Sequence, residues 1–453
     1  MPPTTPARGM RDFLPEDVRR REYVIGVIAD VYQRYGFEPL ETPAVENIET
    51  LMGKYGEEGD RLIFKILKRG EEGRQTGEAD LALRYDLTVP LARVVAEYRS
   101  KLPKFFKRYQ VQPVWRADRP QKGRFREFYQ CDVDAIGAHS MVVEAELCSA
   151  VSDILLRLGF GDFQIRLNHR QVLTAMLEVA GIPAERHGDA LIALDKLDKI
   201  GVEGVRAEFL QRGVAPEALD RLLAVHGERT QPAGIPGDER ARALLARLGS
   251  FLADHDGGSR AVGELNEIVA LSGSTSAGAH LVIDPALARG LSYYTGAIFE
   301  IAVPDLAGSL GGGGRYDNLI GMFLGEEVPA AGVSLGLERI LVVMGERGMF
   351  PASVGAVHAD VMVTIWNRHT IGQSLAVANL LRAAGLRVDV YPEADKLGKQ
   401  FKYASSRAVP LVAVLGEEEA ARGEVAVKDL RTGEQTAVTR EHRAAAVRAK
   451  IGI

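Results

Sequence analysis

The sequence predicts an α+β protein in which a large domain, 1–350, is built on an antiparallel sheet, carries a helical insertion at about 170–280, and is followed by a small α/β domain at 355–453. Strand-like stretches around 62–67, 81–85, 105–115, 125–137, 164–167, 281–284, 295–303 and 331–335 set the expectation for the large domain, since several succeed one another with no helix between them. Strand patterning nearly vanishes between 170 and 280 and resumes at His280-Leu281-Val282-Ile283-Asp284.

In chain order, a helix is expected over about 15–36. Pro15 can sit in its first turn, Val24, Ile25, Ile28, Val31 and Tyr32 recur at helical spacing, and Gly36 stops it. A strand-like run follows at 37–43. In the insertion, Val172, Leu173, Met176, Leu177 and Val179 precede Gly181-Ile182-Pro183, and Leu191, Ile192, Leu194 and Leu197 continue the helical texture. From 355 the order is strand 359–365, helix 371–384, strand 387–391, helix 397–407 and strand 410–415, with Gly385 as a helix stop. Such alternation implies parallel pairing. The small domain is net positive, while the residues before it carry the negative balance.

Composition removes several classes. With 46% hydrophobic and 26% charged residues, the chain is neither disordered, a coiled-coil rod nor a collagen-like repeat. A net charge of −5 argues against coating nucleic acid by bulk charge and leaves a local basic surface open. Cys131 and Cys148 are too few for a disulfide framework or a four-cysteine zinc site, so both are expected to be plain thiols. No apolar run approaches the roughly 20 residues of a membrane span, and the first residues lack the pattern of a signal peptide, so a cytoplasmic location is expected.

The densest local signal is 99–126, which holds ten Lys/Arg against one acid, Asp118, interleaved with Phe105, Phe106, Tyr109, Trp115 and Phe125. Cations among aromatic rings suit phosphates and a stacked base, although a solvated basic face would carry the same charge. The polar loop Asp118-Arg119-Pro120-Gln121-Lys122-Gly123 lies between two strand-like runs, so its arginines would be held still, as a polyphosphate transition state requires. A second stretch places Arg289 before Gly290, Ser292 and the pair Tyr293-Tyr294; by itself it reads more readily as a core tyrosine pair with a surface arginine than as a site. Gly311-Gly312-Gly313-Gly314 before Arg315-Tyr316 allows close backbone approach to a ligand, or forms a simple flexible turn. At 331–340 a strand runs through Gly336 into a helix whose positive end and Arg339 can address an anion. Neither a Walker A loop nor G-x-G-x-x-G is present.

Taken together, Arg84-Tyr85-Asp86-Leu87-Thr88, the stretch from Arg116 to Gln130, 288–300, 312–316 and 332–339 resemble the ordered signature of the histidyl-tRNA synthetases, class II aminoacyl-tRNA synthetases. The resemblance implies a class II catalytic domain over 1–350 and an anticodon-binding domain over 355–453. It implies a ligase that condenses ATP and histidine to histidyl-adenylate and passes the histidyl group to the 3′ end of histidine tRNA. By resemblance Arg116 meets the ATP α-phosphate, Arg339 the γ-phosphate, and Arg289 the α-phosphate and substrate carboxylate, with Arg124 a further cation and Mg²⁺ on the pyrophosphate side rather than in a protein-built metal site. Asp118 is expected near the adenine. Asp134 and Tyr294 are expected at the imidazole, Asp86, Thr88 and Gln130 at the amino and carboxylate ends, and Tyr293 and Tyr316 around the pocket. A carboxylate and a hydroxyl can each partner one ring nitrogen, so selectivity needs no editing domain.

On the tRNA side, Arg119 and Gln121 match positions that in the family meet the extra 5′ guanosine. Lys396, Lys399, Gln400, Tyr403 and Arg407 fall at helical spacing as a stripe suited to anticodon bases and phosphates, though a solvated helix face looks similar. Pro43 resembles the proline at the dimer interface of the class and implies a homodimer. One departure is Ser292, where many members carry an acid. The rival reading is the histidine-binding regulatory paralogue of ATP phosphoribosyltransferase, which lacks the C-terminal domain and parts of the arginine set. A tRNA sensor is a further alternative.

Overall fold

The computed structural model describes residues 4–70, 76–121, 123–194, 196–226, 237–288, 293–306, 308–356, 359–439 and 442–451. The chain divides into two compact units, Met1–Met349 and Phe350–Ile453.

The larger unit is built on an eight-stranded sheet of β1 (Glu38–Pro39), β5 (Phe106–Trp115), β6 (Glu127–Ile136), β7 (Gln164–His169), β8 (Leu281–Ile283), β9 (Ala297–Ala302), β10 (Ser309–Arg315) and β11 (Ala330–Gly336). Their spatial order is β1-β5-β6-β11-β10-β9-β7-β8. The interior pairings are antiparallel, while β1 on β5 and β8 on β7 are parallel. A smaller sheet joins β2 (Val45–Asn47), β4 (Ala79–Leu83) and β3 (Lys65–Leu67).

The Pro15–Arg34 helix ends just before Gly36, whose φ of 76° turns the chain. The run at 37–43 is less of a strand than expected: only Glu38 and Pro39 pair, with Arg108 and Tyr109. Tyr32 of this helix packs on Tyr109, and its hydroxyl donates to the Cys131 carbonyl. Because side chains alternate along a strand, Arg108 and Gln110 on β5, and Gln130, Asp132 and Asp134 on β6, therefore turn to the opposite face.

The glycine run at 311–314 is not a turn. It is the middle of β10, between β9 and β11. At Gly313 an added Cβ would come within 2.6 Å of the Val333 Cα, and at Gly314 within 2.5 Å of the Ala297 carbonyl oxygen. Backbones approach too closely here for any side chain, which is one use of glycine inside a strand.

Residues 170–272 contain helices and no strand among those described: Arg170–Val179, His187–Leu194, Leu197–Gln211, Pro216–His226, Gly237–Phe251 and Asp256–Ser272. None of the described helices is long and apolar enough to cross a membrane. Cys131 and Cys148 are buried free thiols.

The smaller unit holds a five-stranded sheet ordered β13 (Val388–Val390), β12 (Val361–Val363), β14 (Leu411–Val414), β15 (Glu424–Asp429) and β16 (Gln435–Thr439). The first three are parallel, as the alternation implies, whereas β15 and β16 add antiparallel pairs that the sequence reading, ending at 415, did not include. Val361 and Val363 face the Ile371–Ala383 and Arg443–Ile451 helices, and Met362 and Val412 face Leu397–Ser406.

Candidate active site

One cavity of about 370 Å³ opens on the face of the main sheet toward which Gln130, Asp132 and Asp134 turn. The segment 84–88 forms part of its wall and is fixed from behind by Arg84. This guanidinium is 1% exposed and donates to the carbonyls of Pro113 (2.9 Å), Thr42 (2.6 Å) and Pro43 (3.2 Å) and to the Gln112 side chain (3.0 Å). Asp86 then accepts from the Val89 amide (3.1 Å) and the Tyr55 hydroxyl (2.9 Å) at the start of the Thr88–Tyr98 helix.

One end of the cavity is acidic. Arg108 on β5 is fully buried and lies 2.8 Å from Asp134 and 3.9 Å from Asp132, so one cation faces two carboxylates. Tyr316 donates to Asp134 (2.5 Å) and Gln130 donates to Ser334 (2.9 Å). Burial raises the pKa values of Asp86, Asp132 and Asp134 against the pull of neighbouring cations, chiefly Arg108 for the latter two. Oδ2 of Asp86, Oε1 of Gln130 and Oδ1 of Asp132 are buried acceptors with no donor among the described residues. Unpaired buried acceptors are costly, and three around one cavity point to a ligand rich in N–H groups. Tyr293, Tyr294 and Tyr316 form an aromatic wall, with ring centroids 5.0 Å apart for the first pair and 5.9 Å for Tyr293 and Tyr316. Burial lifts all three phenols, so they stay protonated and able to donate.

The other end carries cations. Arg116 donates to the Tyr85 carbonyl (3.0 Å) and lies 4.3 Å from the centroid of the Tyr85 ring. Arg124 grips both oxygens of Asp118, at 3.0 and 2.8 Å, and Arg339 donates to the Ser309 carbonyl. Both oxygens of Glu338 accept from the Tyr129 amide at 3.1 Å, and burial pushes its carboxyl up to about 7. Guanidinium groups held in this way are oriented before a ligand arrives.

Of the residues expected from sequence, Arg116, Asp118, Arg124, Arg339, Asp86, Thr88, Gln130, Asp134, Tyr293, Tyr294 and Tyr316 all line this cavity. Arg289 and Ser292 lie outside the described residues. Arg119 and Gln121 are exposed at the hairpin tip, where Gln121 pairs with Arg124 through the backbone. In the smaller unit, Lys396, Lys399 and Arg407 are exposed, and Tyr403 is half-buried against Tyr391. Gln400 leaves the expected surface stripe: it is fully buried, accepts from the Ile365 amide (3.0 Å) and donates to the Ile365 and Asp395 carbonyls. Helical spacing alone cannot tell a neighbour on the stripe from one rotated inward.

Asp132, Arg108, Ser334 and Glu338 were not singled out from sequence. The available signal was polar or charged residues at alternate strand positions, Gln130, Asp132 and Asp134 facing Gln112, Gln110 and Arg108 in register.

Comparison with known proteins accords with this geometry. A family model described as histidyl-tRNA synthetase matches residues 9–340, and one described as an anticodon binding domain matches 360–450. A histidine–tRNA ligase of Porphyromonas gingivalis is 43% identical, covering 94% of this chain and 95% of its own. One of Flavobacterium johnsoniae is 40% identical, covering 95% and 96%. The crystal structure of histidyl-tRNA synthetase from Nostoc sp. PCC 7120 superposes with a TM-score of 0.81 at 31% identity over 99% of each chain. A Bacillus halodurans structure titled as an ATP phosphoribosyltransferase regulatory subunit/histidyl-tRNA synthetase, at 21% identity and TM-score 0.73 over 91% of this chain and 99% of its own, shares the fold. The regulatory reading is not favoured, because the curated relatives are ligases and the anticodon-binding match is present. The chain thus belongs to the histidyl-tRNA synthetase family, as an aminoacyl-tRNA ligase with a class II catalytic domain and an anticodon-binding domain.

Proposed function

We propose that the cavity joins ATP and L-histidine into histidyl-adenylate. A carboxylate oxygen of histidine attacks the α-phosphorus, the bond to the bridging oxygen breaks, and pyrophosphate leaves; the histidyl group then passes to the 3′ end of histidine tRNA. The observation that carries this reading is the division of one cavity into an acceptor-rich acidic end and an arginine end. The three N–H groups of an α-ammonium supply donors of the kind that Asp86, Gln130 and Asp132 lack.

In this reading Asp134 and Tyr294 take the ring nitrogens, Tyr293 and Tyr316 shape the pocket, and Asp86, Thr88 and Gln130 hold the amino-acid end. Arg116 and Arg289 act at the α-phosphate, Arg339 at the γ-phosphate, and Arg124 with Asp118 beside the adenine. Phosphoryl chemistry of this kind depends on positioning and fixed cations. Mg²⁺ enters with ATP. Glu338, whose buried carboxyl faces the same cavity as Arg339, is suited to hold it beside the phosphates, where it would neutralise phosphate charge.

The catalytic domain is assigned to 1–350, with the helical insertion at about 170–280, and the anticodon-binding domain to 355–453. Arg119 and Gln121 are assigned to the 5′ guanosine of the tRNA, and Lys399 and Tyr403 to the anticodon. A cytoplasmic homodimer with Pro43 at its interface completes the proposal; Pro43 is exposed in the single chain. The test is pyrophosphate exchange into ATP with each amino acid in turn, followed by charging of histidine tRNA with and without its extra guanosine. Exchange with histidine alone supports the reading, and exchange with another amino acid overturns it.

A further inference from the structure

Two histidines outside the cavity are wired in the same way. His169 caps the Arg170–Val179 helix, its Nδ1 accepting from the Gln171 amide at 3.1 Å. His255 caps the Asp256–Ser272 helix, its Nδ1 accepting from the Gly258 amide at 3.0 Å. An Nδ1 that accepts an N–H leaves the ring proton on Nε2, which is then a donor. Nε2 of His169 lies 2.9 Å from Glu264 on the second helix, and Nε2 of His255 lies 2.7 Å from Glu178 on the first. In each helix the glutamate follows the capping histidine at one spacing, 169 to 178 and 255 to 264. The pair is a reciprocal clasp: each imidazole satisfies its own helix and fastens the other.

The clasp closes on a tight crossing. An added Cβ at Gly258 would come within 2.8 Å of the Ala175 Cβ, so the helices nearly touch. Glu264 is held below the ordinary carboxylate range, first by the His169 hydrogen bond and against its own partial burial. From the first helix two contacts run toward the aromatic wall of the cavity. The Arg170 amide donates to the Gly296 carbonyl at 2.9 Å, and buried Leu173 packs with Leu287 and Ile298 in a cluster that Tyr294 joins.

We propose that His169 and His255 are positioning residues for the cavity, holding the Arg170–Val179 helix in register so that it fixes the segment bearing Tyr294. The part concerning substrate rests on the histidine-activating function proposed above; the part concerning the segment does not.

Two measurements on the full chain separate these parts. The first is amide hydrogen exchange of residues 293–302 in His169→Ala and His255→Ala, compared with Lys196→Ala, which breaks an insertion ion pair with Glu208 outside the clasp. Faster exchange of 293–302 in both histidine variants, and not in the lysine variant, is expected; unchanged exchange overturns the proposal whatever the cavity binds. The second is the split between the KM values for histidine and ATP in pyrophosphate exchange. His169→Ala is expected to raise the histidine KM by about tenfold with the ATP KM within about twofold, and Glu264→Ala added to it to cost nothing further. Equal rises in both constants, or a loss of melting temperature with neither constant changed, would mark the clasp as merely structural and overturn the proposal. If the wild-type chain shows no histidine-dependent exchange, the functional reading fails while hydrogen exchange still decides the clasp.

Discussion

Gly332 on β11 lies directly against the carboxylate of Asp134 on β6. The two are partners in the strand register, and a methyl group on Gly332 would collide with Oδ1 of Asp134 and come within 2.9 Å of the Val133 carbonyl oxygen. Asp134 cannot swing aside freely, because Arg108 and Tyr316 hold it. Gly332→Ala is therefore expected to raise the KM for histidine by at least about tenfold, the scale of one lost buried charge-assisted bond, with a smaller effect on ATP. Steady-state exchange kinetics with each substrate varied in turn check this.

The Asp132 carboxyl gives a signed pH dependence. Burial lifts it to about 7 against the pull of Arg108, so the native chain retains a proton that the unfolded chain gives up near pH 4. This contribution to stability is fully present below the unfolded value and is lost as pH rises through the native one. Asparagine does not titrate. Asp132→Asn should therefore gain stability relative to the wild-type chain as pH rises from about 5 to about 8, as denaturant unfolding on either side of the native value would show. An equal difference at both would contradict the shift.

Arg84 is expected to be structural although it stands in the segment that forms the cavity wall. Its guanidinium satisfies three backbone carbonyls and a glutamine oxygen and is not among the groups that line the cavity. Arg84→Met should cost about 3 kcal/mol or more, the penalty for leaving such acceptors buried and unpaired. The loss should appear as a lowered unfolding midpoint before any change in KM.

The helix Leu397–Ser406 allows a contrast between neighbours. Gln400→Ala leaves both polar groups of the Ile365 backbone without their partner and should destabilise the smaller unit by about 1–3 kcal/mol. Lys399→Ala breaks only an exposed, solvent-screened pair with Asp395, so stability should hold while the KM for tRNA in charging rises. Thermal unfolding and charging kinetics on both variants distinguish the two roles.

What the sequence made legible follows the periodicity of its residues. The long strands β5 and β6 alternate strongly enough to be read, and the helices at 170–272 lack any competing strand pattern. β10 was hidden because its glycines carry no side chain to alternate, and the reason for them, the close approach of β9 and β11, is a tertiary fact. Arg108, Asp132 and Glu338 look like surface charges until the fold buries them at 0, 2 and 4% exposure. Gln400 shows the converse, a polar residue on an apparent surface stripe that ties backbone together inside. The motif residues themselves were readable through their order along the chain, since separate segments at 84–88, 116–130, 293–294, 309–316 and 332–339 meet at one cavity.

The most direct test of fixed arginines acting on bound ATP is the rate of histidine-dependent pyrophosphate exchange in Arg116→Ala. The account predicts a fall in kcat of about 10²–10³-fold, the cost of removing one preorganised stabilising group, with histidine binding by calorimetry changed by no more than about threefold. An exchange rate equal to that of the wild-type chain would contradict it.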